Sequence, residues 1–252
     1  MNRIALITGA TSGIGRATAL KLAQNNFDII ITGRRIELLD ELKKEIKEKP
    51  SGRVHILHFD VRDKEQVFKA IDALPKDWKD IDVLVNNAGL AVGLEHLHDG
   101  TVDDWERMID TNVKGLLYMT KKVSAIMVEK NHGHIINIGS TAGKEVYEFG
   151  NVYCGTKHAV DAITKGMRID MLKHKIKVTA INPGMVETEF SLVRFKGDKE
   201  RAEKVYKGFN PLIGEDIADA ILYVLTRPEH VCINDMIITA TAQANSLYKV
   251  TE

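Results

Sequence analysis

Thr8-Gly9-Ala10-Thr11-Ser12-Gly13-Ile14-Gly15 follows the apolar run Ile4-Ala5-Leu6-Ile7 and leads into a helical pattern with Ile14, Ala17, Leu20 and Leu22 among its apolar positions. Glycine lets a backbone turn tightly and approach a ligand closely. Between a strand and a helix, such a turn offers a pyrophosphate the free N–H groups and partial positive charge of the helix N-terminus. A lone glycine triplet is a weak signal; the strand–turn–helix context gives it weight. The competing reading is a tight turn with no ligand.

Outward from this turn, short apolar runs alternate with longer helical patterns. Strands are predicted over 4–8, 28–32, 54–59, 81–85, 134–138, 177–181 and 236–239. Helices are predicted over 13–25, 36–49, 64–74, 102–129, 152–173 and 217–225, with Pro50 and Gly52 ending the second and Thr101 as a cap for the fourth. The repeated β-then-α order predicts an α/β fold, a single-domain Rossmann-type doubly wound parallel sheet of about seven strands with helices on both faces. No linker, repeat or low-complexity segment interrupts it, so residues 1–252 read as one domain. Residues 190–211 are polar, charged and out of rhythm. They follow the sixth strand, and ligands of open α/β sheets sit at the carboxyl ends of strands, so this segment is predicted to be an irregular flap covering a substrate.

Apolar residues make up 44% and charged residues 28% of the 252, an ordinary globular composition. The 35 basic and 35 acidic residues cancel, and no basic stripe marks a nucleic-acid partner. Lys43, Lys44, Lys47 and Lys49 are interleaved with Glu41, Glu45 and Glu48, which reads as a solvated helix face. No apolar run reaches the ~18–20 residues that span a bilayer, so no membrane partner is expected. Two cysteines, Cys154 and Cys232, and the lack of a secretory leader point to a reducing, cytoplasmic setting. No metal is expected.

The cofactor type is written after the second strand. NAD binders commonly place a carboxylate there for the ribose 2′-hydroxyl; this chain has Thr32-Gly33-Arg34-Arg35. Arginine pairs with a 2′-phosphate in bidentate fashion, so NADP(H) is expected over NAD, with Arg16 as a further source of charge. The competing reading makes Arg34 and Arg35 the start of a solvated helix. Asp60-Val61 ends the third strand, where Asp60 could accept from adenine N6 or cap a helix. Asn86-Asn87-Ala88-Gly89 ends the fourth strand on the same rim.

Tyr153 and Lys157 stand at i and i+4, on one helix face. A free phenol, with a pKa near ~10, is a poor base at neutral pH; a nearby ammonium and an oxidised nicotinamide would lower it. Tyrosinate could then take a proton from an alcohol as hydride leaves, and tyrosine could return it to a carbonyl. Ser140, after the fifth strand, could hydrogen-bond the substrate oxygen as charge develops. Asn112 sits inside a long helix, where asparagine is a mediocre helix former and can perturb the backbone and hold a water. Each has a bland reading as well: a surface pair, a turn serine, a tolerated helical asparagine.

TGATSGIG, Asn86-Asn87-Ala88-Gly89, Asn112, Ser140, Tyr153-x-x-x-Lys157 and Asn182-Pro183-Gly184 resemble, in order, the motifs of the short-chain dehydrogenase/reductase family, from Thr8 to the last strand. The resemblance implies that Asn112, Ser140, Tyr153 and Lys157 are catalytic, with Lys157 on the nicotinamide ribose and Asn112 holding a water in a proton relay. With the reading above, it gives an NADP(H) contact set of Gly9, Thr11, Ser12, Gly13, Ile14, Gly15, Arg34, Arg35, Asp60, Val61, Asn87, Ala88, Gly89, Tyr153, Lys157, Pro183, Gly184, Val186 and Thr188. It also implies a homotetramer assembled through the long helices and the C-terminal edge.

Within the family, 86–90, 104–112, 131–143 and 188–198 look like the bacterial NADP-dependent 3-hydroxy acid dehydrogenases, a group that includes serine and L-allo-threonine dehydrogenases. That likeness implies a short 3-hydroxy acid or related small aldehyde as substrate, held by Ser140 and by Arg194 and Lys196, whose cations could pair with a carboxylate. Lys144-Glu145-Val146-Tyr147-Glu148 departs from the group and would set two carboxylates near the pocket, which could disfavour an anion or pair with an amino group. The other readings are a carbonyl reductase of neutral ketones and a non-catalytic NADP-binding sensor; the four filled catalytic positions argue against the sensor.

Overall fold

Alternation along the strands sorts the core into two halves. In the computed structural model, which describes residues 2–49 and 53–251, the strands are β1 (Arg3–Ile7), β2 (Phe27–Gly33), β3 (Val54–His58), β4 (Ile81–Asn86), β5 (Gly133–Ile138), β6 (Ile176–Pro183) and β7 (Asp235–Ile238). They form one seven-stranded, fully parallel sheet in the order β3-β2-β1-β4-β5-β6-β7. Successive side chains on a strand point to opposite faces. Ala5, Ile7, Ile29, Ile31, Val83 and Val85 therefore enter one core, and Leu6, Ile30, Leu84, Ile135 and Val178 the other.

The helices are α1 (Gly13–Gln24), α2 (Ile36–Lys47), α3 (Lys64–Asp72), α4 (Val102–Ile109), α5 (Leu116–Lys130), α6 (Asn151–Asp170), α7 (Phe190–Arg194), α8 (Lys199–Lys204) and α9 (Gly214–Leu225). Leu22 of α1, Leu39 and Leu42 of α2 and Ile217 and Ile221 of α9 close the first core. Val67 of α3, Met119 and Val123 of α5 and Val160 of α6 close the second. This is the doubly wound, single-domain, Rossmann-type arrangement expected. The strand order reverses between β1 and β4, and the crevice beyond their carboxyl ends is where such sheets hold ligands.

Two expectations need correction. The span 102–129 is not one regular helix: Asp110–Gly115 winds as a π-helical turn between α4 and α5. Residues 190–211 are not irregular throughout, because α7 and α8 lie within them. Thr101 does stand at the N-cap of α4, but its side chain makes no cap hydrogen bond there. The expected breakers Pro50 and Gly52 lie outside the described residues.

The second core carries a buried polar seam. The Asn86 amide donates to Asn137 Oδ1 (2.9 Å) and Thr120 Oγ1 (3.0 Å), and Asn137 donates to Thr164 Oγ1 (2.9 Å). On the opposite, first-core face of the sheet, His134 Nε2 is hydrogen-bonded to Thr179 Oγ1 at 2.9 Å, and burial pushes the imidazole pKa down from 6.5 to about 3. The unfolded chain binds that proton near pH 6.5 and the folded chain does not. The stability linked to His134 is therefore present above about pH 6.5 and lost as pH falls toward 3. In urea unfolding, His134→Gln should lose stability less steeply than the parent below pH 6.5, by up to about 1.4 kcal/mol per pH unit; parallel slopes would mean the imidazole is already charged in the fold.

Candidate active site

The glycine turn forms a cradle at the carboxyl end of β1. Gly13 takes a left-handed backbone (φ +51°) that side chains rarely adopt. A Cβ on Gly15 would stand 2.3 Å from the Gly9 carbonyl oxygen, so only glycine lets α1 start this close to the strand end. Ser12 sits at the N-cap of α1 without capping it; its hydroxyl turns to Glu189 instead. The helix N-terminus is left without a side-chain acceptor, the condition for anion binding.

A cleft of about 360 Å³ runs from this cradle across the rim of the sheet. Gly9, Thr11, Ser12, Gly13, Ile14, Arg34, Arg35, Asp60, Val61, Asn87, Ala88, Gly89, Pro183, Gly184, Val186 and Thr188 all line it, as do Ser140, Tyr153 and Lys157. Gly15, Asn112, Arg194 and Lys196 do not. Gly15 supports the cradle from behind.

At one end of the cleft, Arg34 is half exposed with its guanidinium 3.8 Å from Asp60. Both Asp60 oxygens accept from Arg62; burial opposes ionisation, yet these bonds hold the carboxyl below its usual range. Arg35 donates to Thr11 Oγ1 (3.0 Å) and to Glu189 (2.9 Å), across the mouth of the cleft. Hydrogen bonding from Arg35 keeps the Glu189 carboxyl low. Arg16 is not at the cleft: it pairs with Glu45.

At the other end, Tyr153, Ser140 and Lys157 converge. Ser140 follows β5 and its Oγ accepts from the Ala142 N–H at 3.1 Å. Lys157 Nζ donates to the Ile138 carbonyl at 2.9 Å and lies 6.0 Å from the centre of the Tyr153 ring. Burial is the main influence on both groups. It pushes the Lys157 amine down to about 8. It pushes the Tyr153 phenol above its ordinary value, with Tyr147 adding to the rise and Ser140 and Arg194 drawing it back.

Asn112 lies in the π-helical turn, just behind this group. Its side chain is already committed: Oδ1 accepts from the Leu90 N–H (2.8 Å), and Nδ2 donates to the Leu90 carbonyl (2.8 Å) and to Thr156 Oγ1 (3.0 Å). Both amide hydrogens are thus used, and Oδ1 keeps one lone pair, at which the expected water could donate. The side chain also ties the 90 loop to α6.

Arg194 ends α7, with its guanidinium carbon 5.7 Å from the centre of the Tyr153 ring and 5.4 Å from that of Tyr147. Its Nε and one terminal nitrogen are buried with no acceptor. Lys196 does not face the cleft, contrary to expectation; its ammonium pairs with Asp104 at 2.6 Å. Nor do Glu145 and Glu148 bring negative charge into the cleft. Glu145 accepts from the Ser246 N–H and Glu148 is exposed, so the objection to an anionic ligand falls. Cys154 is fully buried and its thiol pKa is raised by that burial, which fits packing.

Sequence reasoning missed three contributors. Phe190 meets the Tyr153 ring edge-on at 5.6 Å. Glu189 closes the cleft mouth on Arg35. Gln243 Oε1 accepts from the Met185 N–H and fixes the turn after β6, where a Cβ on Gly184 would stand 2.2 Å from it. Only the glycine at 184 hinted at such a neighbour, and nothing in the sequence said which residue it was.

Known proteins share this arrangement. The model of the short chain dehydrogenase family matches residues 3–198. An NADP-dependent 3-hydroxy acid dehydrogenase of Salmonella typhi is 49% identical over 242 residues, 96% of this chain and 96% of that protein. One from Schizosaccharomyces pombe is 45% identical over 247 residues, 97% of this chain and 95% of its own. Among solved structures, a closed form of serine dehydrogenase complexed with NADP+ superposes with a TM-score of 0.93 at 46% identity, covering 99% of both chains. The serine dehydrogenase of Escherichia coli gives 0.82 at 41% identity, covering 96% of this chain and 99% of that one. Glycine cradle, strand-order reversal, Ser140, Tyr153 and Lys157 thus occur together in a chain that belongs to the short chain dehydrogenase family.

Proposed function

We propose that this enzyme is an NADP(H)-dependent oxidoreductase that moves a hydride between nicotinamide and the hydroxyl-bearing carbon of a short 3-hydroxy acid, or the matching aldehyde in reverse. The observation that carries the substrate class is Arg194: a cation beside Tyr153, hydrogen-bonded to Tyr147 but with two buried donors lacking an acceptor, fits a substrate carboxylate. The relatives named for 3-hydroxy acids and serine agree with that reading.

The cleft fits a dinucleotide. The uncapped start of α1 and the glycine cradle suit a pyrophosphate, and Arg34 and Arg35 suit a 2′-phosphate. The bound cofactor supplies the hydride acceptor or donor. Val61, Asn87, Ala88 and Gly89 would hold its middle, and Pro183, Gly184, Val186 and Thr188 its nicotinamide end.

Tyr153 Oη exchanges the proton with the substrate oxygen, and Ser140 Oγ donates to that oxygen as charge grows on it. Burial alone disfavours tyrosinate, so the base form depends on positive charge from the Lys157 ammonium and the oxidised nicotinamide. Lys157 stands at the cleft wall, where a ribose hydroxyl could take its hydrogen bonds. Asn112 holds the 90 loop with its amide, and the remaining lone pair of Oδ1 is where a relay water would donate. Residues 190–211 cover the substrate.

We also infer a cytoplasmic homotetramer. Cys154 and Cys232 are both free thiols, and among the described residues no helix is long and apolar enough to cross a membrane. Leu117 on α5, Ile169 on α6 and Leu172 just beyond it expose apolar side chains that a second copy would cover.

The deciding assay follows reduced nicotinamide with NADP+ or NAD+ against L-serine, L-allo-threonine, 3-hydroxyisobutyrate and 3-hydroxypropionate. Turnover with NADP+ on at least one acid is expected, and Tyr153→Phe should lower kcat by roughly 10²–10⁴-fold. Silence on all four acids would redirect the search to neutral ketones. Replacing Arg34 and Arg35 together by alanine should raise KM for NADP+ by roughly 10- to 100-fold and leave that for NAD+ nearly unchanged. Light scattering should give four times the 28.1 kDa chain mass; a monomer would refute the assembly.

A further inference from the structure

Arg194 is an unusual group to close into a site. Its Nε and one terminal nitrogen are buried without an acceptor, and unpaired buried donors oppose the closed position until an anion arrives. Something must hold the segment in place meanwhile. Two contacts do. The Gly93 N–H donates to the Arg194 carbonyl at 3.0 Å. Two residues further on, Lys196 Nζ reaches Asp104 at 2.6 Å.

α7 ends in a Schellman turn: Lys196 takes the left-handed backbone (φ 53°), its N–H returns to the Val193 carbonyl at 3.1 Å, and the Gly197 N–H returns to the Leu192 carbonyl at 2.9 Å. The bend turns the lysine away from the cleft and toward α4. Asp104 waits there with a side chain only 9% exposed, hydrogen-bonded by Thr101, with Arg107 no nearer than 3.8 Å. A buried carboxylate of this kind is costly without a close cation, and the segment supplies it.

We infer that Asp104 and Lys196 are a positioning pair that holds the 190–197 segment closed, so that Arg194 stands between the Tyr147 and Tyr153 rings ready for the substrate carboxylate. Neither residue lines the main cleft. The pair acts through Arg194, and the inference rests on the proposed reading of Arg194 as the carboxylate partner. It predicts that the pair governs capture of acids specifically. A neutral substrate makes no use of the guanidinium and is indifferent to where it is held.

Lys196 is half exposed, so its variants should fold. Lys196→Met, Lys196→Arg and Arg194→Met are compared with the parent on 3-hydroxypropionate and on 1,3-propanediol, its neutral counterpart, together with hydrogen exchange at the Gly93 amide. For Lys196→Met, KM for the acid should rise on the order of five-fold with kcat held, while the diol changes by less than about two-fold. Gly93 should exchange faster, and Lys196→Arg should restore both readings. Equal losses on acid and diol, or unchanged kinetics and exchange in Lys196→Met while Arg194→Met loses the acid selectively, would overturn the pair. If Arg194→Met shows no preference for harming the acid, the carboxylate reading itself fails. Gly93 exchange then still decides whether the pair holds the segment.

Discussion

The site depends on a hydrogen-bonded seam between the ends of β1 and β4. Thr8 Oγ1 accepts from the N–H groups of both Asn87 and Ala88, and Asn87 Nδ2 donates back to the carbonyls of Thr8 and Gly9. The sheet order reverses at this point, so no crossover helix covers it and the two strand ends would otherwise be free. α1 comes down on the seam at Gly15, whose missing side chain would otherwise meet both the Gly9 carbonyl and the Asn87 amide. Anion cradle and cleft floor are therefore one construction.

The reacting end is governed by burial. Tyr153 and Lys157 are both nearly inaccessible, and desolvation disfavours the charged form of each. Left alone, the pair would sit as phenol and, below about pH 8, as ammonium. Positive charge delivered to the cleft reverses the balance for the tyrosine.

The covering segment links three regions that are distant in sequence. Arg35 meets Glu189 at the adenosine side, Phe190 packs on Tyr153, and Lys196 pairs with Asp104 at the far side. The C-terminal stretch adds further ties through Gln243 to Met185 and Lys249 to the Val205 carbonyl. Each contact alone is small and partly exposed, and surface ion pairs are weak singly. Their arrangement along one segment gives it a defined place.

The sequence by itself determined the sheet, the helices, the glycine cradle and the Tyr153–Lys157 face. Those are local matters: period-2 and period-3.6 patterns report which backbone buries which side, and i,i+4 spacing fixes a shared helix face. It also placed most of the cleft-lining residues, because every strand of a parallel sheet ends on the same rim. Only the tertiary structure decided that the Asn112 amide is spent on Leu90 and Thr156, that Lys196 pairs with Asp104, that Glu145 and Glu148 stay out of the cleft, and that Arg194 lands beside the Tyr147 and Tyr153 rings. A charged side chain in a loop has no periodicity to read. Its partner is set by where the loop lands in space, and that is fixed by the packing of the whole sheet.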